Sequence, residues 1–351
     1  MTVFYIFVAI LFFGILILAH EFGHFITAKL SGVQVNEFAL FMGPAIWKKQ
    51  KGETLYSLRC IPIGGYCAME GEDEDSDNTR AFGNAKVWKR LIILVAGAVM
   101  NFIVGALLML LFVSIYFRDV VPTAIVTHME DGRPFAQQLQ VGDEFHSING
   151  RRVFVNGDIG ILLDRQADGI HDLVVIRNGE KVELHNVTMK RDFETEDGRL
   201  LYGLSFYSEE ANFGNRLVYT WRESLNVGRL VWMSLGDLLT GRESVKNVSG
   251  IVGVVDIVAD VGTQSKTVGI GLLNVVYFFA LISINLGVMN LLPIPALDGG
   301  RVVCLLVTAA AEKILGRKID PKYEGYLNGF FMILLIGLML LITLKDVWSL
   351  F

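Results

Sequence analysis

LILAHEFGHFITAK, residues 16–29, places two imidazoles and a carboxylate at the end of a run that carries no charge from Thr2 to Ala19. His20-Glu21-Phe22-Gly23-His24 has the form H-E-x-x-H. On a helix, residues four apart project from one face, so His20 and His24 can share one tetrahedral Zn²⁺. Glu21 then stands close enough to act on a water rather than on the metal. Ionisable groups inside a span are costly unless paired or metal-bound, and they are functional by default. The bland alternative is a polar cluster that packs helices together.

The apolar run around this motif is one of four. Segments 2–19, 91–117, 267–297 and 326–344 contain no Asp, Glu, Lys or Arg. Each meets or approaches the roughly 20 apolar residues that cross a bilayer as a helix. With 52% hydrophobic residues, 19% charged and a mean hydropathy of +0.47, the 351-residue chain reads as a multispan membrane protein. The first run lacks a basic n-region and a small-residue cleavage site, so it is expected to be a retained span. A net charge of −5 gives no sign of nucleic-acid binding.

Lys and Arg placement sets the expected orientation. The link between spans one and two holds Lys29, Lys48, Lys49, Lys51, Arg59, Arg80, Lys86, Lys89 and Arg90. The link between spans three and four holds Arg301, Lys313, Arg317, Lys318 and Lys322. Both links are therefore expected in the cytoplasm, with the termini and residues 118–266 outside. Cys60, Cys67 and Cys304 all fall on the cytoplasmic side, so no disulfide framework or Cys-rich metal site is expected.

Between the spans, VQVNEFALF, a KKQKGE turn and TLYSLRCIPIGGY suggest a β-hairpin over 33–69. The acidic run EGEDEDSD, 70–77, reads as a solvated, mobile loop. Residues 118–210 read as a small α/β domain. It has a helix-like piece at RPFAQQL, a strand from Glu144 to Ile148, and NG turns at Asn149-Gly150 and Asn178-Gly179. LLYGLSFY, 200–207, supplies a last strand. Residues 215–241 suit an amphipathic helix, lying either on the outer membrane face or on the soluble domain.

A zinc hydrolase site needs a third protein ligand. NLLPIPALDGGR, 290–301, brings Asp298 as the first charge after a long uncharged run. Pro293 and Pro295 prevent a continuous helix, and irregular backbone at membrane depth is tolerated where it lines a cavity or is buried in protein. Under the orientation above, His20 lies roughly 25 Å down span one at 1.5 Å per residue. Asp298 comes at the inner end of span three, so the two features meet at the same depth.

HEFGH on a first span and NLLPIPALDGG on a third, with an insert between them, resemble the site-2 proteases, intramembrane zinc metalloproteases, and among them the bacterial RseP/RasP branch. The resemblance covers essentially the whole chain. It implies one Zn²⁺ held by His20, His24 and Asp298, with Glu21 as general base. Gly97-Ala-Val-Met-Asn101 matches the family's G-x-x-x-N pattern, which puts Asn101 near the substrate path. Asn290 and Pro293, in N-x-x-P-x-P-x-L-D-G, are similarly implicated in handling substrate. The 33–69 segment resembles the family's membrane-dipping β-loop, thought to hold substrate as an added strand. The external domain resembles a circularly permuted PDZ module, with Gly203, Leu204 and Phe206 of G-L-x-F as its carboxylate-binding loop. A single module matches the shorter members of many Gram-positive bacteria. Ile251 in SGIVGV, 249–254, stands where the family commonly has proline.

The expected fold is a polytopic α-helical membrane protein with four transmembrane helices, a membrane-associated β-hairpin loop and one inserted extracytoplasmic PDZ-like α/β domain. Residues 1–117 form the N-terminal membrane part, with helices near 2–28 and 89–117. The PDZ-like domain spans 118–210 and an amphipathic or linker segment 211–266. The C-terminal membrane part covers 267–351, with helices near 267–292 (including the LDG motif) and 326–348. The resemblance implies residence in the bacterial inner or plasma membrane, single-span protein substrates such as anti-sigma factors or signal-peptide remnants, and a peptide C-terminus at the PDZ-like domain. A metal transporter would use similar midplane groups, but the spans offer little beyond His20, Glu21, His24 and Asp298. A CAAX-type protease takes Glu as third ligand and lacks a PDZ insert.

Overall fold

The computed structural model describes residues 2–72, 74, 76–194, 200–242, 251–265, 267–316 and 322–348. It divides into two compact units, one of residues 1–109 with 230–351 and the other of 110–229.

The first unit opens with α1, Thr2–Ser31, which holds the H-E-x-x-H motif well inside the helix. Strands β1, Val35–Lys51, and β2, Thr54–Met69, follow and pair antiparallel. The pairing is richer than one hairpin. Glu37 to Leu40 lies between two stretches of β2, with Leu55–Leu58 on one side and Gly65–Ala68 on the other. Register shifts from Met42 to Trp47, around Gly43 and Pro44, let the strand fold back. Helix α2, Val87–Tyr116, follows.

The second unit is built on an antiparallel sheet of β3, Val120–Met129, β4, Glu144–Ile148, β5, Arg151–Arg152, β6, Ile170–Arg177, β7, Glu180–Thr188, and β10, Leu204–Glu210, in the order β10-β3-β4-β6-β7 with β5 on β4. The NG turns fall where expected, and both asparagines take positive φ (50° at Asn149, 53° at Asn178). The helix-like piece is a short 3₁₀ turn, Pro134–Gln137, and a further helix, α3, spans Asn156–Asp164. The strand expected over 200–207 is broken at Gly203, whose φ is +74°. Leu200–Leu201 (β9) pairs instead with Phe193–Glu194 (β8).

Helix α4, Phe213–Leu239, answers the amphipathic alternative at its N-terminal end. Thr220, Ser224 and Val227 are buried, and the Arg229 guanidinium meets the buried Asp158 and lies 4.8 Å over the Phe154 ring. The opposite face keeps Leu217, Trp221 and Leu225 exposed.

Back in the first unit, the segment expected as a linker contains α5, Ile251–Thr263; Ser249 and Gly250 lie outside the described residues. Val258 and Ala259 of α5 pack in one apolar cluster with Tyr5, Ala9 and Leu16 of α1 and with Val275 and Phe279 of α6, Val268–Asn290. Helices α7, Asp298–Leu315, and α8, Lys322–Trp348, complete the chain. The LDG motif thus follows α6 across a loop, as the two prolines require, and opens a helix of its own. Among the described residues, four helices are long and apolar enough to cross a membrane: Val3–Ser31, Val87–Tyr116, Val268–Asn290 and Gly325–Lys345. With the β-sheets above, they fit a polytopic membrane protein.

Candidate metal centre

His20 and His24 sit one turn apart on α1, and their Nε2 atoms are 3.2 Å from each other. Asp298, the first residue of α7, brings Oδ2 to 3.3 Å from His20 Nε2 and 3.4 Å from His24 Nε2. These are the described residues whose ligand atoms gather as a metal site would need, all within 4.8 Å. Asp298 Oδ2 is enclosed and has no hydrogen-bond partner. Donors arranged tetrahedrally at 2.0–2.1 Å from one Zn²⁺ lie about 3.3 Å apart, so the three atoms fit such an ion.

The rings are held from behind. His24 Nδ1 donates to the Ile93 carbonyl of α2 at 2.8 Å, which leaves the Nε2 lone pair facing the other donors. His20 Nδ1 has the Asn101 amide at 3.2 Å and the Asn290 amide at 3.4 Å. The two asparagines expected along the substrate path therefore both meet a histidine ring. Gly97 explains how α2 comes so near. A Cβ there would collide with the His24 ring and stand 2.7 Å from His20 Cε1. Gly300 does the same for α7, where a Cβ would lie 2.6 Å from Pro295 N in the loop folded over it.

Glu21 is half-buried, with His20, His24 and Asp298 as neighbours. Gly65 of β2 packs on it, an added Cβ falling 3.1 Å from Glu21 Cγ. Pro293 is exposed in the α6–α7 loop. Ala296 in the same loop takes a φ of +77°, and its N–H donates to Asn328 of α8 at 3.3 Å. Gly203, Leu204 and Phe206 belong to the other unit. There Leu204 to Phe206 pair with β3, and Phe206 meets the Phe145 ring edge-on at 6.1 Å.

The acidic run holds a residue that the sequence reading missed. Glu72 accepts from Arg301 of α7 at 2.5 Å and from the Met69 N–H at 3.2 Å, so it ties the end of β2 to the helix that begins with Asp298. The only signal for it was a lone arginine one turn past Asp298. At the far tip of the β1–β2 turn, Arg80 and Lys29 lower the Glu53 carboxyl to about 2.

Peptidase family M50 matches residues 8–338. A Clostridium acetobutylicum protein named as a zinc metalloprotease is 36% identical over 99% of this chain and 98% of its own length. The zinc metalloprotease RasP of Shouchella clausii is 28% identical, covering 97% of both chains. The Regulator of sigma-W protease RasP of Bacillus subtilis is 26% identical over 97% of this chain and 98% of its own. The family match covers most of the chain and the relatives match it over nearly their whole length, and the chain belongs to peptidase family M50, the site-2 proteases, as a zinc-dependent metalloprotease.

Proposed function

We propose that the protein cleaves the transmembrane segments of single-span proteins, with Zn²⁺ held by His20, His24 and Asp298 and with Glu21 as general base. The observation that carries this is the convergence of Nε2, Nε2 and Oδ2 at 3.2–3.4 Å from helices at opposite ends of the chain. Zinc, when bound, lowers the pKa of a coordinated water toward neutrality and polarises a carbonyl. Glu21, beside both histidines, takes the proton from the attacking water and returns it to the leaving amine.

A helical substrate hides its carbonyls in internal hydrogen bonds, so it must be drawn out before cleavage. The 65–69 stretch of β2 is suited to hold it. Its pairing is with β1, and Gly65 places this strand directly beside Glu21. An unwound segment added to that strand would be kept extended in front of the general base. In the other unit, Gly203, Leu204 and Phe206 form the proposed PDZ-like carboxylate loop over 118–210, which would bind a shortened substrate's C-terminus or exclude bulky ectodomains.

The basic links between spans support a plasma-membrane orientation with both termini and the 118–210 domain outside and the metal centre near the cytoplasmic side. The name of the Bacillus subtilis relative supports anti-sigma factors as one client class, beside signal-peptide remnants. The test uses purified protein and a model single-span substrate in proteoliposomes. The parent should cleave and Glu21→Gln should not, while still binding zinc. Equal cleavage by Glu21→Gln would remove the proposal.

A further inference from the structure

We infer that Asn101 is a positioning residue that fixes the ring of His20, and that it does not touch substrate; the inference rests on the zinc ligand set proposed above. A histidine that ligates through Nε2 must carry its proton on Nδ1 and needs an acceptor there. His24 has one in the Ile93 carbonyl. For His20, the groups facing Nδ1 are the side-chain amides of Asn101 at 3.2 Å and Asn290 at 3.4 Å.

With nitrogen turned toward the ring, Asn101 would donate to Nδ1, push the ring proton to Nε2 and block that atom as a ligand. The same orientation leaves Asn101 Oδ1 buried without a partner. Rotating the amide by 180° exchanges oxygen and nitrogen without moving a heavy atom. Oδ1 then accepts from His20 Nδ1–H, which gives that oxygen a partner and leaves His20 Nε2 free to ligate.

Burial separates the two asparagines. Asn101 is 2% exposed, and its own carbonyl accepts from Ser283 of α6 at 2.7 Å, so its backbone is pinned at the α2–α6 contact. No surface of it is open to a substrate strand. Asn290, at the end of α6, is only partly buried and keeps the substrate-facing role that the family resemblance implies for both.

Zinc affinity, measured by chelator competition on the full chain in detergent, tests the assignment with Asn101→Leu and Asn101→Asp. Asn101→Leu keeps the bulk and removes the acceptor, and should weaken zinc by roughly 10–100-fold, the range for outer-shell partners. Asn101→Asp keeps an acceptor and should hold zinc within a few-fold of the parent. The Co²⁺-substituted protein should change its d–d spectrum in Asn101→Leu and keep it in Asn101→Asp. Unchanged zinc affinity in Asn101→Leu with a raised KM would overturn the inference in favour of substrate contact. Equal loss in both variants would overturn it too, since the acceptor would then not matter. His20→Ala is the reference: if it binds zinc like the parent, the ligand set itself fails, not the role of Asn101 alone.

Discussion

In the unit of residues 110–229, Asp143 and Asp158 are sealed from solvent and each is matched. Arg177 meets both oxygens of Asp143 at 2.7 and 2.8 Å, and the Gln140 N–H adds a third bond. Asp158 takes the Arg229 guanidinium and the Phe154 N–H. Asp298, in the other unit, has no arginine on its carboxylate among the described residues. Its enclosed oxygen faces only two imidazole nitrogens. A buried carboxylate matched by donors has its charge compensated within the fold, whereas under the proposed ligation that of Asp298 would be compensated by the metal.

That contrast can be broken by substitution. Asp298→Asn should cut zinc affinity by more than the roughly 10–100-fold typical of an outer-shell change, while the thermal transition of the 110–229 unit stays in place. Glu21→Gln should lower kcat by roughly 10²–10⁴-fold, the usual worth of a general base, at unchanged zinc affinity. Arg177→Leu should do the reverse, destabilising its unit by about 3 kcal/mol because it strands a buried charge, with zinc affinity intact. A denaturant melt and a chelator titration on each variant separate these outcomes.

Smaller effects sharpen the picture. Gly65→Val would set a Cβ 3.0 Å from Ile17 Cγ2 and the Ala39 carbonyl and 3.1 Å from Glu21 Cγ. Overpacking of this kind costs about 1–3 kcal/mol, and kcat should fall by about tenfold or more if the strand holds substrate. His171, buried in the sheet unit, has its pKa pushed below 6.5 by burial. The unfolded chain therefore binds the extra proton first, so the contribution of His171 is complete above pH 6.5 and is lost as pH falls toward the folded value. Melting the parent and His171→Gln from pH 8 to 5 should show a shallower decline in the variant.

Much of this was legible in the sequence because charge in an apolar run is rare enough to read by itself. His20, Glu21, His24 and Asp298 announce themselves, and the prolines at 293 and 295 give away the loop before α7. What escaped depends on contacts that no periodicity encodes. Glu70 accepts from Asn36 and Ser76, and Asn78 donates to Gln34, so an apparently solvated acidic loop has fixed partners. The double pairing of β1 depends on a fold-back near Met42 rather than on alternation. The contact of Asn101 with the His20 ring was hidden too, because its spacing from Gly97 carries no information about which ring lies behind it.

The metal centre joins positions 20 and 24 to position 298, and the whole 110–229 unit lies between them in the chain. Under the proposed ligation, one zinc ion is therefore a noncovalent cross-link around a very long loop. A backbone nick anywhere in that loop would leave α1 and α7 bridged by the metal. Stripping the metal from the nicked chain would remove that bridge, so the centre is also a clasp for the fold that performs the chemistry.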